Sequence, residues 1–244
     1  MSGDGRVVLV TGGSRGIGAA CAAWFLDHGD RVAVTSRSGG APTPDGADPE
    51  RFLDLACDVT DADAVERAFT AIEDRWGPVE VLVANAGITR DTLVLRMDDE
   101  AWHSVLDTNL TGAFRVAKRA LARMIRLRRG RIILVSSVGA FVGAPGQANY
   151  AAAKAGLVGM GRSMAREVAS RGITVNVVAP GLVDTDMLAA LDGDRRALME
   201  AQVPLGRTGT PAEVAGTVGF LASEAASYVT GVVLPVDGGL AMGM

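Results

Sequence analysis

Thr11-Gly12-Gly13-Ser14-Arg15-Gly16-Ile17-Gly18 is the stretch on which the reading of this chain turns. A β-branched run, Arg6–Thr11, leads straight into it, and an Ala-rich stretch follows. A strand, a turn of small residues and a helix N-terminus together make a cradle for pyrophosphate. Backbone N–H groups can close on the phosphate oxygens, and the helix dipole favours the anion. The glycines fall as G-x-x-x-G-x-G at Gly12, Gly16 and Gly18, not as G-x-G-x-x-G, with Ser14, Arg15 and Ile17 between them. The competing account is a tight strand-to-helix turn that binds nothing.

Similar runs recur outward from that turn at Arg31–Ser36, Val79–Ala84, Arg131–Ser136, Ile173–Val178 and Val232–Val236. Each is a continuous apolar run, the pattern of strands buried on both faces of a parallel sheet. Longer Ala-rich helical stretches separate them. A further strand-like run, Phe52–Asp58, follows the one loop rich in Pro and Gly, Gly39–Pro49. Thr210-Pro211-Ala212-Glu213 reads as a capping box with Pro at the first helical position. Thr60-Asp61-Ala62-Asp63 is a looser version, and Asp98 is placed to cap a helix through Trp102 and Val105. The alternation predicts an α/β protein: one Rossmann-like, doubly wound parallel sheet with helices on both faces and right-handed crossovers. With no internal repeat or composition break, residues 1–244 are expected to form a single domain.

Composition narrows the function. Among 244 residues, 28 acidic against 24 basic side chains give a net charge of −4. That balance, with 5% aromatic residues, argues against a nucleic-acid partner. The two cysteines, Cys21 and Cys57, lie far apart, and there are only two histidines, so neither a disulfide framework nor a metal site is expected. Met1–Gly5 lacks a leader pattern and no apolar run approaches the ~20 residues of a membrane span, so a cytoplasmic location is expected. Glycine, at 31 residues, is nearly twice its usual share, which implies many close backbone approaches.

The end of the second strand bears on the choice of dinucleotide. A carboxylate about 20 residues beyond the glycines would hold ribose hydroxyls. Here that place carries Thr35-Ser36-Arg37-Ser38. Arg37 and Arg15 can instead surround a 2′-phosphate, so NADP(H) is the expected cofactor. Two solvated surface arginines are the alternative.

Asn149-Tyr150-Ala151-Ala152-Ala153-Lys154-Ala155-Gly156 is strongly helical and puts positions 150 and 154 on one face. A nearby ammonium is expected to lower the phenol pKa and make Tyr150 a usable acid. Lys154 is one of only two lysines, the other being Lys118. Thirteen residues before Tyr150 stands Ser137, whose hydroxyl can hydrogen-bond a substrate carbonyl. A nucleophilic serine competes with that role, but no G-x-S-x-G elbow surrounds it. Asn109 is a polar residue in a helical stretch, where a local kink is the simpler account.

TGGSRGIG at 11–18, NAG at 85–87, NLTG at 109–112, Ser137, Tyr150-x-x-x-Lys154 and Pro180-Gly181 together resemble the short-chain dehydrogenase/reductase family along essentially the whole chain. The resemblance implies a catalytic tetrad of Asn109, Ser137, Tyr150 and Lys154. It gives the tyrosine the proton donation, the lysine the ribose hydroxyls, the serine the carbonyl and the asparagine a water. It also implies that Asp58 and Val59 flank the adenine, and Asn85, Ala86 and Gly87 the adjoining ribose. Pro180, Gly181, Val183 and Thr185 take the nicotinamide end. Ala84 departs from the family's pattern, which has Asn there.

Within the family, Gly146–Gly156, Val178–Gly181, Asp184–Met187 and Pro235–Gly239 look most like the actinobacterial type of 3-oxoacyl-acyl-carrier-protein reductases. That likeness implies NADPH-dependent reduction of a β-ketoacyl thioester to the (3R)-hydroxyacyl product, in a homotetramer. A discrete ketoreductase of a polyketide pathway, acting on a carrier-bound chain, and a non-catalytic NADPH-binding regulator are the alternatives. An acidic carrier protein calls for a basic patch. Arg128, Arg129 and Arg171 are the docking candidates, whereas the stripe Arg115, Lys118, Arg119 and Arg123 reads better as a solvated face or subunit contact. Leu188–Gly209, with Leu191 and Met199, suits a mobile lid.

Overall fold

Neighbouring residues of β1 (Val7–Thr11) point to opposite layers, and both sets are apolar. Val7 and Leu9 pack with Phe69, Ile72, Met124 and Leu157, while Val8 and Val10 pack with Phe25, Val214 and Leu221. Both faces of the strand are therefore core, which is why its sequence is an unbroken apolar run. A computed structural model describes residues 5–189 and 193–243. The other strands are β2 (Arg31–Ser36), β3 (Phe52–Ala56), β4 (Val81–Ala84), β5 (Gly130–Val135), β6 (Ile173–Pro180) and β7 (Val233–Val236). Among the described residues they make one seven-stranded sheet in the order β3-β2-β1-β4-β5-β6-β7. Every pairing is parallel.

The helices follow in chain order: α1 (Gly16–Asp27), α2 (Ala62–Trp76), α3 (Asp99–Leu106), α4 (Ala113–Leu127), α5 (Gly139–Val142), α6 (Ala148–Val168), α7 (Asp186–Ala189), α8 (Gly193–Glu200) and α9 (Pro211–Ala222). α1 and α9 cover one face of the sheet, and α2, α4 and α6 the other. A Cβ on Gly219 of α9 would lie 2.4 Å from the Trp24 ring of α1, so only glycine permits that approach. Chain order reverses between β1 and β4, the kind of switch point at whose carboxyl ends open α/β sheets place a ligand crevice.

The caps follow the sequence with one correction. Asp98 accepts from Ala101 N at 2.7 Å, and Thr210 and Glu213 form the reciprocal capping box. The cap of α2 is Asp61, not Thr60, because the Thr60 hydroxyl donates instead to Asp58 Oδ1 at 2.7 Å. The arginine stripe on α4 joins helices: Arg119 chelates Glu73 at 2.8 and 2.9 Å and reaches Glu66 at 2.7 Å. Those hydrogen bonds, with Arg123, hold the Glu73 carboxyl below its ordinary pKa against the opposing pull of burial. Of the lid segment, Leu188 is buried on α7 and Met199 is half-buried on α8, while Leu191 lies outside the described residues. No helix among the described residues is long and apolar enough to cross a membrane.

Candidate functional site

All the candidate cofactor residues gather along the carboxyl ends of the strands. The turn from β1 into α1 is braced from β4. Asn85 Nδ2 donates to Thr11 O and Gly12 O at 3.0 Å each, and Thr11 Oγ1 accepts from Asn85 N and Ala86 N at 3.1 Å. That amide lies where a side chain on Gly18 would have to be: a Cβ there would come within 2.7 Å of Asn85 Nδ2 and 2.1 Å of Gly12 O. Gly12 has φ +66 and Gly16 φ +54, the left-handed region that favours glycine. The start of α1 has no side-chain cap, which leaves first-turn N–H groups facing the crevice mouth. A Cβ on Gly16 would sit 3.3 Å from Thr185 Cγ2, so the loop after β6 closes against this turn.

At the far end, Arg37 is exposed just past β2. Burial pushes the Asp58 carboxyl up, but two hydrogen bonds from Thr60 and the charges of Arg37 and Arg115 outweigh it and hold the pKa low. Val59 is buried, and a Cβ on Gly112 would come within 2.5 Å of it. Arg15 is exposed and lies 3.7 Å from Asp186. On the other side of the crevice Pro180 ends β6, Gly181 N donates to Val236 O at 3.0 Å, and Val183 bridges to Gly209.

The four candidate catalytic residues come from four segments. Ser137 follows β5, and its Oγ accepts from Gly139 N at 3.1 Å beside the Tyr150 phenol. Lys154 is buried one turn beyond Tyr150 on α6; its Nζ donates to Val135 O at 2.7 Å and lies 5.6 Å from the Tyr150 ring centre. Ser136 Oγ holds Lys154 O at 2.8 Å, so β5 and α6 fix one another. Asn109 lies in a π-helical turn, Asp107–Gly112, between α3 and α4, which accounts for a polar residue in a helical stretch. Its side chain grips Ile88 in both directions, accepting from Ile88 N at 2.8 Å and donating to Ile88 O at 2.9 Å. A Cβ on Gly87 would lie 3.3 Å from Asn109 Oδ1 and 3.5 Å from Lys154 Nζ, so one small gap joins the two.

One expectation is overturned. Burial raises the Tyr150 pKa; the Ser137 hydrogen bond pulls it down, and the Asp91 charge adds to the rise. Lys154 does not offset this. Its ammonium is turned to Val135 O, and burial lowers its own pKa to about 8.

A family model described as enoyl-(acyl carrier protein) reductase matches residues 12–241. The 3-oxoacyl-[acyl-carrier-protein] reductase MabA of Mycobacterium tuberculosis is 54% identical over 238 residues, covering 98% of this chain and 94% of that protein. The reductases named FabG from Vibrio cholerae and Salmonella typhimurium are each 50% identical, covering 99% of this chain and 100% of theirs. The chain belongs to the short-chain dehydrogenase/reductase family.

This short-chain dehydrogenase/reductase has a crevice that fits the family's nicotinamide dinucleotide. The glycine turn leaves room for pyrophosphate beside uncapped N–H groups, and Lys154 keeps two N–H donors after serving Val135 O. The candidate docking arginines stand elsewhere, at the amino ends of β5 and β6. β5 separates them from Ser137 by about 20 Å at ~3.3 Å per residue. Arg128 donates to Ser170 O at 3.0 Å and Arg129 pairs with Glu80, whereas Arg171 is exposed without an ion pair among the described residues. Both cysteines are buried and free, with thiol pKa values raised to about 12 for Cys21 and about 11 for Cys57, chiefly by burial. Sequence reasoning passed over Thr11, Asp91, Gln147 and Asn149. Of these, Asn149 stood in plain view beside Tyr150, but its partners are distant in sequence.

Proposed function

We propose that this protein reduces a 3-oxoacyl-acyl-carrier-protein thioester to the (3R)-hydroxyacyl product with NADPH. The observation that carries the reading is the adjacency of the Ser137 and Tyr150 hydroxyls at the end of β5, with Lys154 buried beside them. Two adjacent hydroxyls can both address one carbonyl oxygen. The similar proteins from Mycobacterium tuberculosis and Vibrio cholerae are named 3-oxoacyl-[acyl-carrier-protein] reductases. When bound, the reduced nicotinamide supplies the hydride that the carbonyl carbon takes up. Tyr150 Oη gives its proton to the carbonyl oxygen while the Ser137 hydroxyl donates to the same atom. Lys154, held to Val135 O and 5.6 Å from the ring centre of a neutral phenol in the resting protein, is attracted to the phenolate that forms, and that attraction offsets part of the burial cost of both charges. That stabilisation is absent from the ground state, the kind that lowers a barrier. Asn109 holds the strand exit at Ile88 in place.

NADPH is favoured over NADH by the exposed Arg15 and Arg37 and by the lack of a carboxylate at positions 35–38. Phe114, Ile125 and Leu127, partly exposed along α4, support a homotetramer as the working form. We assign one reductase domain to the chain, working in the cytoplasm; the two reduced, buried thiols agree with that compartment. Exposed Arg171, with Arg128 and Arg129 beside it, suits an acidic carrier protein.

The test is oxidation of NADPH with acetoacetyl-acyl-carrier-protein, alongside crotonyl-acyl-carrier-protein because the matching family model is described for enoyl reduction. The expected result is turnover of the keto substrate, falling about 10²–10⁴-fold in Tyr150→Phe. Preference for the crotonyl substrate would overturn the keto assignment. NADH used as well as NADPH, with no change in Arg37→Ala, would overturn the cofactor assignment.

A further inference from the structure

Five residues, Ile88–Thr92, leave β4 past Gly87 and strap two of the candidate catalytic residues together. The strap begins at Ile88, whose N–H and carbonyl are both held by Asn109. It ends at the entry to α6: Thr92 N donates to Gly146 O at 2.9 Å, and Gln147 Nε2 donates to Asp91 Oδ2 at 2.7 Å. Between those ties lies Asn149, fully buried, whose Nδ2 donates to Arg90 O at 3.1 Å and to Ala101 O of α3 at 3.0 Å. Its Oδ1 accepts from Tyr150 N at 2.8 Å.

Each of these bonds has a physical reason. The first N–H groups of a helix have no partner within it. α6 has no side-chain cap at Gln147, so Asn149 serves the Tyr150 N–H from inside the helix. Both Nδ2 hydrogens are then spent on carbonyls from two other segments. One belongs to the strap and the other to α3, which runs on into the turn bearing Asn109. Asn149 thus ties Tyr150 toward Asn109 by two routes, one through the strap and one through α3.

We propose that Asn149 is a positioning residue, holding the Tyr150 hydroxyl in register with Ser137 and Asn109 by tying α6 to the Ile88–Thr92 strap and to α3. The inference rests on the reductase reading for its kinetic consequences but not for the strap itself. The charged groups facing the phenol are Lys154 from its own helix and Asp91 from the strap; from the end of β5 comes the uncharged Ser137. Releasing the strap lets Asp91 move off and water in. Both changes lower the phenol pKa, and Tyr150 acts in its protonated form, so the alkaline limb of the kcat profile moves to lower pH.

The experiment compares Asn149→Ala, Asn149→Asp and Gln147→Ala with the unmodified protein and with Val168→Ala, a core change at the other end of α6. Aspartate keeps the acceptor for Tyr150 N but loses both donors. Expected are a fall in kcat of roughly 10–100-fold, the size a displacement of about 1 Å produces, and a downward shift of the alkaline limb. KM for NADPH should stay within about threefold of its original value, by the same uniform-binding logic. Hydrogen exchange at the Ile88 and Thr92 amides should accelerate while β5 stays protected. Val168→Ala should lose thermal stability with kcat and limb unmoved. Gln147→Ala, a change at a half-buried residue, keeps the test alive if the Asn149 variants fail to fold, and should move the limb the same way. An unmoved limb with near-normal kcat, or losses that merely track the stability of Val168→Ala, would overturn the proposal. If the unmodified protein fails to reduce acetoacetyl-acyl-carrier-protein, the reductase reading falls; strap exchange then decides the role of Asn149 alone, and unchanged exchange rejects it.

Discussion

Replacing Lys154 with Met should abolish activity yet make the protein without cofactor more stable at neutral pH. Burial drops the Lys154 pKa from its ordinary 10.5 to about 8. In the unfolded chain the amine keeps its proton to about pH 10.5, whereas in the fold it keeps it only to about 8. Between those values the unfolded state binds more protons, so stability rises with pH. Below pH 8 the full penalty stands, on the order of 3 kcal/mol at about 1.4 kcal/mol per pH unit. Met has nearly the shape of Lys and no charge. It also forfeits the bond from Nζ to Val135 O, worth about 1 kcal/mol. A gain of about 2 kcal/mol at pH 7 remains, or about 4–8 °C in Tm for a chain of this size. Urea unfolding of both proteins at pH 7, 8.5 and 10 checks this. The advantage of the variant should shrink above pH 8, vanish at about pH 9.5 and reverse by about 10.5, where the charge penalty is gone and only the lost bond to Val135 O remains. A wild type as stable as Lys154→Met at pH 7, or a difference that does not change with pH, would refute the argument that burial of this charge is uncompensated.

Other outcomes follow from the same structure. Gly18→Ala drives a Cβ into Gly12 O. The strain of roughly 1–3 kcal/mol should appear as a five- to hundred-fold weaker NADPH Kd in a fluorescence titration, and an unchanged Kd would show that the turn is no cradle. Thr210→Ala removes one half of the capping box on α9 and should cost about 1 kcal/mol in urea unfolding with kcat intact. Arg171→Glu should raise KM for a carrier-bound substrate while sparing a small soluble ketone. Equal effects on both would end the docking idea.

Much of the fold was legible in the chain because burial on both faces leaves a crude mark. Val7, Val8, Leu9 and Val10 are all apolar since consecutive side chains enter different cores. Start signals such as Asp98 and Thr210 act over three residues, so they too could be read locally. The Thr60 expectation failed because its hydroxyl had a nearer partner in Asp58. The phenol of Tyr150 could not be judged from spacing either: the i, i+4 interval puts Lys154 on the same helix face but does not say where the ammonium points. β5 supplied a carbonyl that claimed it.

Sequence by itself determined the parallel α/β sheet and the glycine turn, since these depend on short-range sterics and periodicity carried by contiguous residues, while the four candidate catalytic residues came from resemblance to a family. Tertiary structure alone decided how those residues behave. Asn109 spends its amide on Ile88, Asn85 braces the turn from β1, and Asn149 ties α6 to a strap dozens of residues upstream. The reason is that a hydrogen-bond partner and a pKa are set by whatever the fold brings within a few ångströms, which separation along the chain does not encode.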